Sequence, residues 1–286
     1  MNTTLLDRLG RRGWPGGNVW RVLPVLALVV VVFDFSLAGL LTRAVLPADG
    51  TFTLAYFHEA WTTPAYLRVL TNTVRVSVAA TAACVLLGYP LAYWMRGLDE
   101  RRRSFTIAIV LVTFWVSILV RTYAWIVVLG NSGLVNRFLL ASGWIDAPIQ
   151  ILYAEPGVTI GMANVLLPFF VLPMLAAMTR IDARLLHAAE SLGASPATVF
   201  WRIFFPLTLP ALGACVLLLF MLCLGFYVTP AILGGGKVPL LGNLLDTLIN
   251  ETSQWELAAA MSATLLGFAL VVFWVYLRLN RLAESV

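Results

Sequence analysis

Three charged residues interrupt long apolar stretches of the sequence: Asp34, Arg75 and Arg121. An ionised side chain at the centre of a bilayer costs about 2.5–3.5 kcal/mol, so a charge in this position marks a functional candidate. Asp34 could attract a cationic solute, and pairing with Arg75 or Arg121 is an equal alternative. Arg121 lies within snorkelling reach of an interface, which favours a structural or gating role over contact with a cationic solute.

Other reactive residue types form no constellation that would catalyse a reaction. The two histidines, His58 and His187, fall on opposite sides of the membrane that is predicted below. The three cysteines stand inside apolar stretches without paired spacing, which excludes a disulfide framework and a zinc site; they are Cys84, Cys215 and Cys223. The sequence therefore predicts no enzyme, no catalytic residue and no metal site.

A glycine-rich segment at 234–237 resembles a phosphate-binding loop only in part. Ala231 stands where that motif requires its first glycine, and Val238 stands where it requires serine or threonine. We therefore interpret the segment as a flexible turn, and no cofactor is predicted on this chain.

The composition indicates that lipid is the solvent of most of the chain. Of 286 residues, 60% are apolar and 12% are charged, and the mean hydropathy is +0.90. Soluble domains carry about 25% charged residues, so too few polar side chains are present here to cover a water-exposed surface. The net charge of +5 comes from arginines clustered between apolar stretches, a placement typical of membrane topology and not of nucleic-acid binding.

Six apolar stretches are long enough to cross a bilayer, which takes about 20 helical residues. The sequence thus predicts an all-α membrane protein with transmembrane helices at 22–46, 71–95, 104–130, 157–178, 207–229 and 258–279. The first stretch exceeds the 7–15 apolar residues of a signal peptide, so we expect it to be retained. Proline and glycine predict irregular structure in the loops at 47–70, 131–156 and 230–257.

Basic residues concentrate in alternate loops, and this sets the predicted orientation. The two termini, the loop between the second and third helices and the loop between the fourth and fifth hold thirteen of the 19 basic residues. Because basic loops stay in the cytoplasm, both termini are predicted to be cytoplasmic. The chain then divides into a cytoplasmic segment 1–21, a single transmembrane domain 22–280 and a cytoplasmic tail 281–286.

The predicted cytoplasmic loop 180–206 is less apolar than the helices on either side of it. Capping residues and a glycine predict two short helices at an angle, over 183–192 and 196–206. The residues that set their ends are Asp182, Gly193, Ser195, Pro196 and Pro206. From these features alone, an amphipathic connector on the bilayer surface is as good an interpretation as a docking site for another protein.

This loop resembles the coupling loop of the membrane subunits of binding-protein-dependent ABC importers, which reads E-A-A, then G, then I-x-L-P. The matching positions are His187, Ala188, Ala189, Gly193, Ile203 and Pro206. In that family the loop docks into a groove of a separate ATPase subunit, which implies an ATPase-coupling role here. His187 departs from the usual glutamate, and Glu190, one helical turn later, could replace its charged contact.

The resemblance covers about 65–280 and points to permeases of the spermidine/putrescine type. The segments that carry it are Leu87-Gly88-Tyr89-Pro90-Leu91-Ala92-Tyr93, Phe114-Trp115, Arg121-Thr122-Tyr123, Leu167-Pro168-Phe169, Gly225-Phe226-Tyr227-Val228-Thr229-Pro230 and Leu233-Gly234-Gly235. It implies the type I ABC importer permease fold with a cytoplasmic coupling helix, in the bacterial inner membrane. It also implies import of a polyamine or related small organic amine by alternating access. Aminobutyrate, opine-like compounds and phosphonates are alternative cargoes.

The same resemblance implies the partners of the chain. A second permease subunit, usually non-identical, would pair with it around the pathway, and two copies of an ATPase subunit would drive transport. ATP and Mg²⁺ would bind to that ATPase. An extracytoplasmic solute-binding protein would deliver the cargo, membrane lipid would surround the helices, and no nucleic acid is expected.

Aromatic residues are the candidate liners of the pathway, because an aromatic face attracts an ammonium group by about 0.5–2 kcal/mol. The candidates are Trp115, Tyr123, Trp125 and Tyr227. At helical spacing such residues more often serve packing or anchoring at the interface. Asp246, Glu251 and Glu256 make the last outer loop acidic, which could receive cargo or its binding protein.

A second hypothesis is a stand-alone secondary carrier or channel that uses Asp34 as a proton or cation site. It predicts uptake by the purified chain alone, without ATP, and loss of that uptake in Asp34→Asn. The importer hypothesis predicts dependence on other chains instead.

Overall fold

The computed structural model describes residues 19–46 and 51–284, and the regular elements in these ranges are all helical. Residues 1–18 of the predicted terminal segment 1–21 are outside the described ranges. Residues 285 and 286 of the predicted tail are also outside them. In chain order the helices are α1 Val19–Val29, α2 Phe35–Val45, α3 Ala55–Thr62, α4 Pro64–Arg96, α5 Glu100–Trp115, α6 Ile118–Leu129, α7 Leu134–Ala141, α8 Glu155–Thr179, α9 Ala183–Ser191, α10 Pro196–Val199, α11 Phe205–Leu224, α12 Val228–Gly234, α13 Leu241–Asp246 and α14 Trp255–Glu284.

Three single π-turns lengthen these helices. Val30–Asp34 joins α1 to α2, Phe200–Phe204 joins α10 to α11, and Thr247–Glu251 extends α13. A π-turn holds one more residue per turn than an α-helix and is frequent at functional sites.

Six helical segments in the described ranges are long and apolar enough to cross a membrane. They are Pro24–Val45, Pro64–Arg96, Ile118–Ala141, Glu155–Thr179, Pro196–Leu224 and Trp255–Asn280. The prediction of an all-α protein with six membrane-crossing helices is therefore confirmed. The first segment lies within the stretch 22–46 that we expected to be a membrane helix.

The predicted third span, 104–130, was wrong as a single helix. The chain leaves the helical conformation at Val116 and Ser117, whose ψ angles are 125° and 136°, and it starts again at Ile118. The long apolar segment at this place is Ile118–Ala141. Neither proline nor glycine marks the break, so the local sequence carries no signal for it.

The second helix predicted in the loop 180–206 does not end at Pro206. It continues through the π-turn Phe200–Phe204 into α11, so Pro196–Leu224 is one membrane-crossing helix. Proline has no backbone N–H and its ring crowds the preceding turn. The π-turn ends two residues before Pro206, and its wider ring of hydrogen bonds, such as Phe205 N–H to Phe200 O, accommodates the proline.

The core is built by α4, α8 and α11, with α12 packed against α8. Several segments that carry the family resemblance are the contact points of these helices. A Cβ at Gly88 of α4 would lie 2.5 Å from the ring of Phe170, so glycine permits the close approach of α4 to α8. The Tyr89 and Thr208 hydroxyls lie 2.9 Å apart and join α4 to α11. Phe114 packs edge-on against Phe169, with 5.0 Å between the ring centroids.

The three cysteines are free and buried among these helices. Cys84 and Cys223 are fully buried in the main core, and Cys215 is 5% exposed. They act as small apolar core residues, which agrees with the lack of paired spacing in the sequence.

The loops at the other end of the bundle are more regular than predicted. Short helices α3, α7, α12 and α13 occupy the three segments that we expected to be irregular. Their glycines lie at helix ends instead, as at Gly235, which ends α12 with φ of +52°.

Candidate functional sites

The segment between α8 and α11 forms the capped turn that its sequence predicts. The Asp182 carboxylate accepts from the Arg184 backbone N–H at 2.9 Å, and the Ser195 hydroxyl accepts from the Thr198 N–H at 3.3 Å. Gly193 follows α9 with φ of +89°, a left-handed conformation that glycine adopts without strain. The prediction of a capped helix, a glycine turn and a second helix start is confirmed.

This segment presents apolar side chains to the outside of the bundle. Leu192 is 89% exposed, and Leu185 and Trp201 are also exposed. His187 Nδ1 lies 3.2 Å from Glu190 Oε2 on the exposed side of α9, so these two residues form a single hydrogen-bonded pair. These exposed apolar side chains are accessible to another protein or to the bilayer surface. Ala188 is exposed, whereas Ala189 and Ile203 are partly buried.

The same segment is tied to the bundle by aromatic contacts. Phe200 and Phe204, in the π-turn, pack edge-on against Tyr93 of α4, each with 5.1 Å between the ring centroids. Arg96, at the end of α4, lies 4.6 Å above the Phe204 ring and donates to the Met178 carbonyl of α8 at 3.2 Å. The π-turn that follows α10 is therefore packed against α4, and Arg96 ties α4 to α8 at the same place.

Asp34 does not pair with either of the arginines considered for it. Arg75 forms an ion pair with Glu155, in the first turn of α8, which links α4 to α8. Asp34 is exposed at the end of the π-turn Val30–Asp34 and makes no ion pair with any other side chain that the structure describes. The alternative in which Asp34 pairs with Arg75 or Arg121 is therefore not observed, because Arg75 binds Glu155 and Arg121 binds backbone carbonyls.

Arg121 binds backbone carbonyl groups at the break in the third span. Its Nη2 donates to the carbonyl of Thr113 and, at 3.0 Å, to that of Val116. The last carbonyls of a helix lack intrahelical partners, and in lipid no water replaces them. Arg121 therefore caps α5 and allows a broken helix within an apolar segment.

The four aromatic candidates lie in different surroundings. Trp115 is 87% exposed at the end of α5, and Tyr123 is exposed on α6. Trp125 is partly buried and packs against the main core. The helix α6 packs against α12, which begins directly after Tyr227, so Tyr123 and Tyr227 belong to neighbouring elements. The structure does not bring Asp34 into this group.

Tyr227 meets an acidic residue that is distant in sequence. Its hydroxyl donates to Asp246 Oδ2 at 2.9 Å, while Asn250 donates to Oδ1 at 2.7 Å. The hydrogen bond to Asp246 and the charge of that carboxylate raise the pKa of Tyr227, and Glu251 adds to the effect. Tyr227 therefore stays neutral near pH 7. Among the described residues, no group of His, Cys, Asp and Glu could hold a metal ion.

Residues 85–284 match the family described as the binding-protein-dependent transport system inner membrane component. This chain belongs to that family. It is 34% identical over 264 residues to the spermidine/putrescine transport system permease protein PotB of Salmonella typhimurium (strain SL1344), which covers 90% of this chain and 92% of that protein. It is 36% identical over 219 residues to PotB of Haemophilus influenzae, which covers 77% of each chain. The chain is thus a multi-pass inner-membrane permease subunit of an ABC importer, and its family is one of transporters.

Solved structures of ABC importers share the fold. The crystal structure of a bacterial ABC transporter involved in the import of the acidic polysaccharide alginate matches with a TM-score of 0.70 and 18% identity, over 92% of this chain and 94% of that chain. The crystal structure of a bacterial alginate ABC transporter in complex with alginate pentasaccharide-bound periplasmic protein matches with a TM-score of 0.68 and 19% identity. The match covers 92% of this chain and 93% of that chain. The importer permease fold expected from the coupling-loop pattern is confirmed.

Two features of this family member escaped the sequence analysis. Glu155 was not considered, although an acidic residue in the first turn of an apolar helix was a visible partner for a basic one. Asp246 was predicted only as a charge of the outer loop. Its hydrogen bond with Tyr227 joins residues 19 positions apart, and the sequence did not indicate the path of the loop between them.

Proposed function

We propose that this chain is the permease subunit of an importer for a polyamine such as spermidine or putrescine. The similarity to spermidine/putrescine permeases over most of both chains supports this cargo. The mechanism is carried by one observation, which is that Pro196–Leu224 forms a single helix. At 1.5 Å per residue it is about 43 Å long, so it joins the coupling segment to the region of Tyr227.

In this proposal the segment 180–206 docks against the ATPase through its candidate coupling residues. These are His187, Ala188, Ala189, Glu190, Gly193, Ile203 and Pro206. The exposed side chains Leu185 and Leu192 would be covered in that contact, which adds apolar burial of about 25 cal/mol per Å². Closure of the ATPase pair would push α10 and α11 together, because the chain between them is helical throughout.

The proposed assembly contains chains other than this one. A second, non-identical permease pairs with it around the pathway, and two ATPase subunits bind ATP and Mg²⁺ on the cytoplasmic side. A solute-binding protein delivers the amine on the opposite side. Both termini lie in the cytoplasm, as the distribution of basic loops predicts. They comprise the segment 1–21 and the tail 281–286, which flank the permease domain 22–280.

For the pathway we propose Tyr227 and Tyr123 as liners, with Trp115 at the junction with the second permease. Arg121 positions the broken helix, and the partly buried Trp125 supports α6 from the core side. Asp34 stays a candidate cation site on the first span.

The test begins with a tagged copy of the chain, extracted in mild detergent from its native membrane. We expect an ATPase subunit and a second permease to copurify. The purified assembly, reconstituted into liposomes with its binding protein, should take up radiolabelled spermidine only when ATP is enclosed. A hydrolysis-deficient ATPase variant serves as the control.

Two outcomes would contradict the proposal. Spermidine uptake by the chain alone, driven by an ion gradient and lost in Asp34→Asn, would instead support the secondary carrier. If the ATPase and the second permease copurify but the assembly takes up neither spermidine nor putrescine, the importer class is supported and the polyamine cargo is contradicted.

A further inference from the structure

A cavity of about 310 Å³ opens between α12, the loop 235–240 and α13. Its polar groups come from Tyr227, Asn243, Asp246 and Thr247, and its apolar walls include Pro230 and Leu244. Sites for small molecules have volumes of about 300–1,000 Å³ and combine apolar walls with a few convergent polar groups. The cavity therefore has the size and lining of a site for a small molecule.

The polar end of this cavity carries unbalanced negative charge. The Asp246 carboxylate accepts one hydrogen bond on each oxygen, from Tyr227 and Asn250, although a carboxylate offers about four acceptor positions. It forms no ion pair with a described basic residue. Glu251 lies close enough to add to the negative field at Tyr227. Lys237, on the loop 235–240, is exposed and forms no ion pair among the described residues.

The other polar groups of the cavity hold its walls in place. Asn243 donates to the Tyr227 carbonyl at 3.2 Å and accepts from the Leu240 N–H at 3.3 Å. Leu240 and Leu241 are fully buried, and the Leu241 N–H donates to the Thr73 hydroxyl of α4 at 2.8 Å. Hydrogen bonds within the chain therefore hold the walls on which the Asp246 carboxylate and the Tyr227 ring stand.

We infer that this cavity binds one alkylammonium end of the transported amine, between the Tyr227 ring and the Asp246 carboxylate. An ammonium group donates to the free acceptor positions of Asp246 and lies against the aromatic face, while the methylene chain contacts the proline and leucine walls. The inference rests on the proposed function, and it adds the place and the charge requirement of binding. A neutral or anionic end group gains neither contact.

The site also lies at the end of the long helix that begins in the coupling segment. Tyr227 follows the end of α11 by three residues, and α11 is continuous with α10 of the coupling segment. Displacement of α11 would therefore reach Tyr227, whereas Asp246 lies on α13, which is bonded to α4 through the Leu241 N–H. Binding of the ammonium group and closure of the ATPase pair would then bias the same rearrangement.

The test uses the reconstituted assembly with its binding protein and two probes, 1,4-diaminobutane and its N,N′-diacetyl derivative. The diacetyl derivative lacks both ammonium groups. In Asp246→Asn we expect uptake of the diamine to fall about tenfold and the ratio of diamine to acetylated uptake to fall several-fold, because only the charged contact is lost. Asp246→Glu, which keeps the charge, should keep the ratio within about twofold.

Asp146→Asn is the matched control, because it removes an exposed aspartate from another loop outside the cavity. It should change neither the uptake nor the ratio. If Asp246→Asn does not assemble, Tyr227→Leu decides by the same ratio, since it removes the ring and keeps the carboxylate. An unchanged ratio, or an equal loss of both probes, would overturn the ammonium site. If the wild-type assembly does not take up the diamine, the polyamine function itself fails, and the site inference falls with it.

Discussion

Arg121 shows why a charged side chain occurs in an apolar segment without any need to touch cargo. Its guanidinium group donates to two carbonyls at the end of α5, where the helix is broken. In lipid these carbonyls have no other donor, and each unmet hydrogen bond costs about 1–3 kcal/mol. The arginine is useful here because its guanidinium group donates hydrogen bonds. An apolar side chain of the same length would have no donor for these carbonyls.

We therefore expect Arg121→Met to lower the thermal midpoint of the purified assembly in detergent, by the equivalent of about 1–3 kcal/mol. Arg121→Lys should recover part of the loss, because one ammonium group can still donate to a carbonyl. Arg137→Met, which removes an exposed arginine from α7, is the control. Equal midpoints for Arg121→Met and Arg137→Met would show that the cap is not needed.

Gly193 is the second residue whose role follows from backbone geometry. Its φ of +89° strains any residue with a Cβ, although no other atom lies within 4 Å of the place where a Cβ would be. In Gly193→Val we expect ATP-driven uptake to fall at least about threefold, because roughly 1–2 kcal/mol of strain reorients α9 against the ATPase.

Gly143 provides a matched control for that strain. It has φ of +71°, with equally open surroundings, in the loop at the opposite end of the bundle. Gly143→Val should therefore keep ATP-driven uptake. Normal uptake and normal ATPase copurification in Gly193→Val would remove this turn from the coupling mechanism.

At the scale of elements, the helix pair α4 and α8 is the rigid part of the structure. Gly88 allows the two helices to approach closely, and the ion pair of Arg75 with Glu155 joins them near the start of α8. The helices that change partners during transport are better sought among α5, α6 and α11, which are interrupted or carry a π-turn. Interrupted helices have fewer internal hydrogen bonds to break on bending.

For this helix pair we expect Gly88→Leu to destabilise the protein by about 1–3 kcal/mol, because the new side chain meets the fully buried Phe170 ring. The measurement is the thermal midpoint, followed by tryptophan fluorescence and size-exclusion chromatography. Gly39→Leu is the matched control, since Gly39 lies in α2 with no other atom within 4 Å of an added Cβ. A similar midpoint for both variants would show that the close approach is unimportant.

The sequence predicted whole helices better than it predicted their interruptions. The length of an apolar stretch can be read from the local sequence, and the caps Asp182 and Ser195 bond to backbone groups only two or three residues away. The presence of six spans and the coupling turn could therefore be predicted. The break after Trp115 and the π-turn before Pro206 depend on tertiary donors and packing, which no local pattern carries. The contact of Tyr227 with Asp246 likewise depends on the path of the loop 235–240.

At the scale of the whole molecule, orientation is the prediction that remains open to direct measurement. A green fluorescent protein fused to either end should fluoresce, because both termini are predicted to be cytoplasmic. Alkaline phosphatase fused at the C-terminus should be inactive, whereas the same enzyme inserted at Gly143 should be active. An active C-terminal phosphatase would invert the topology and place α9 on the wrong side for an ATPase.

The burial of Cys84, Cys215 and Cys223 has a practical consequence for spectroscopy. A thiol reagent that cannot enter the core would find no exposed native cysteine, so the natural sequence can serve as its own labelling background. Single cysteines introduced at Arg202 and at Lys237, which are both exposed, would then accept a maleimide fluorophore selectively. Energy transfer between labels on this chain and on its partners could report, in real time, which end of α11 moves first after ATP is added.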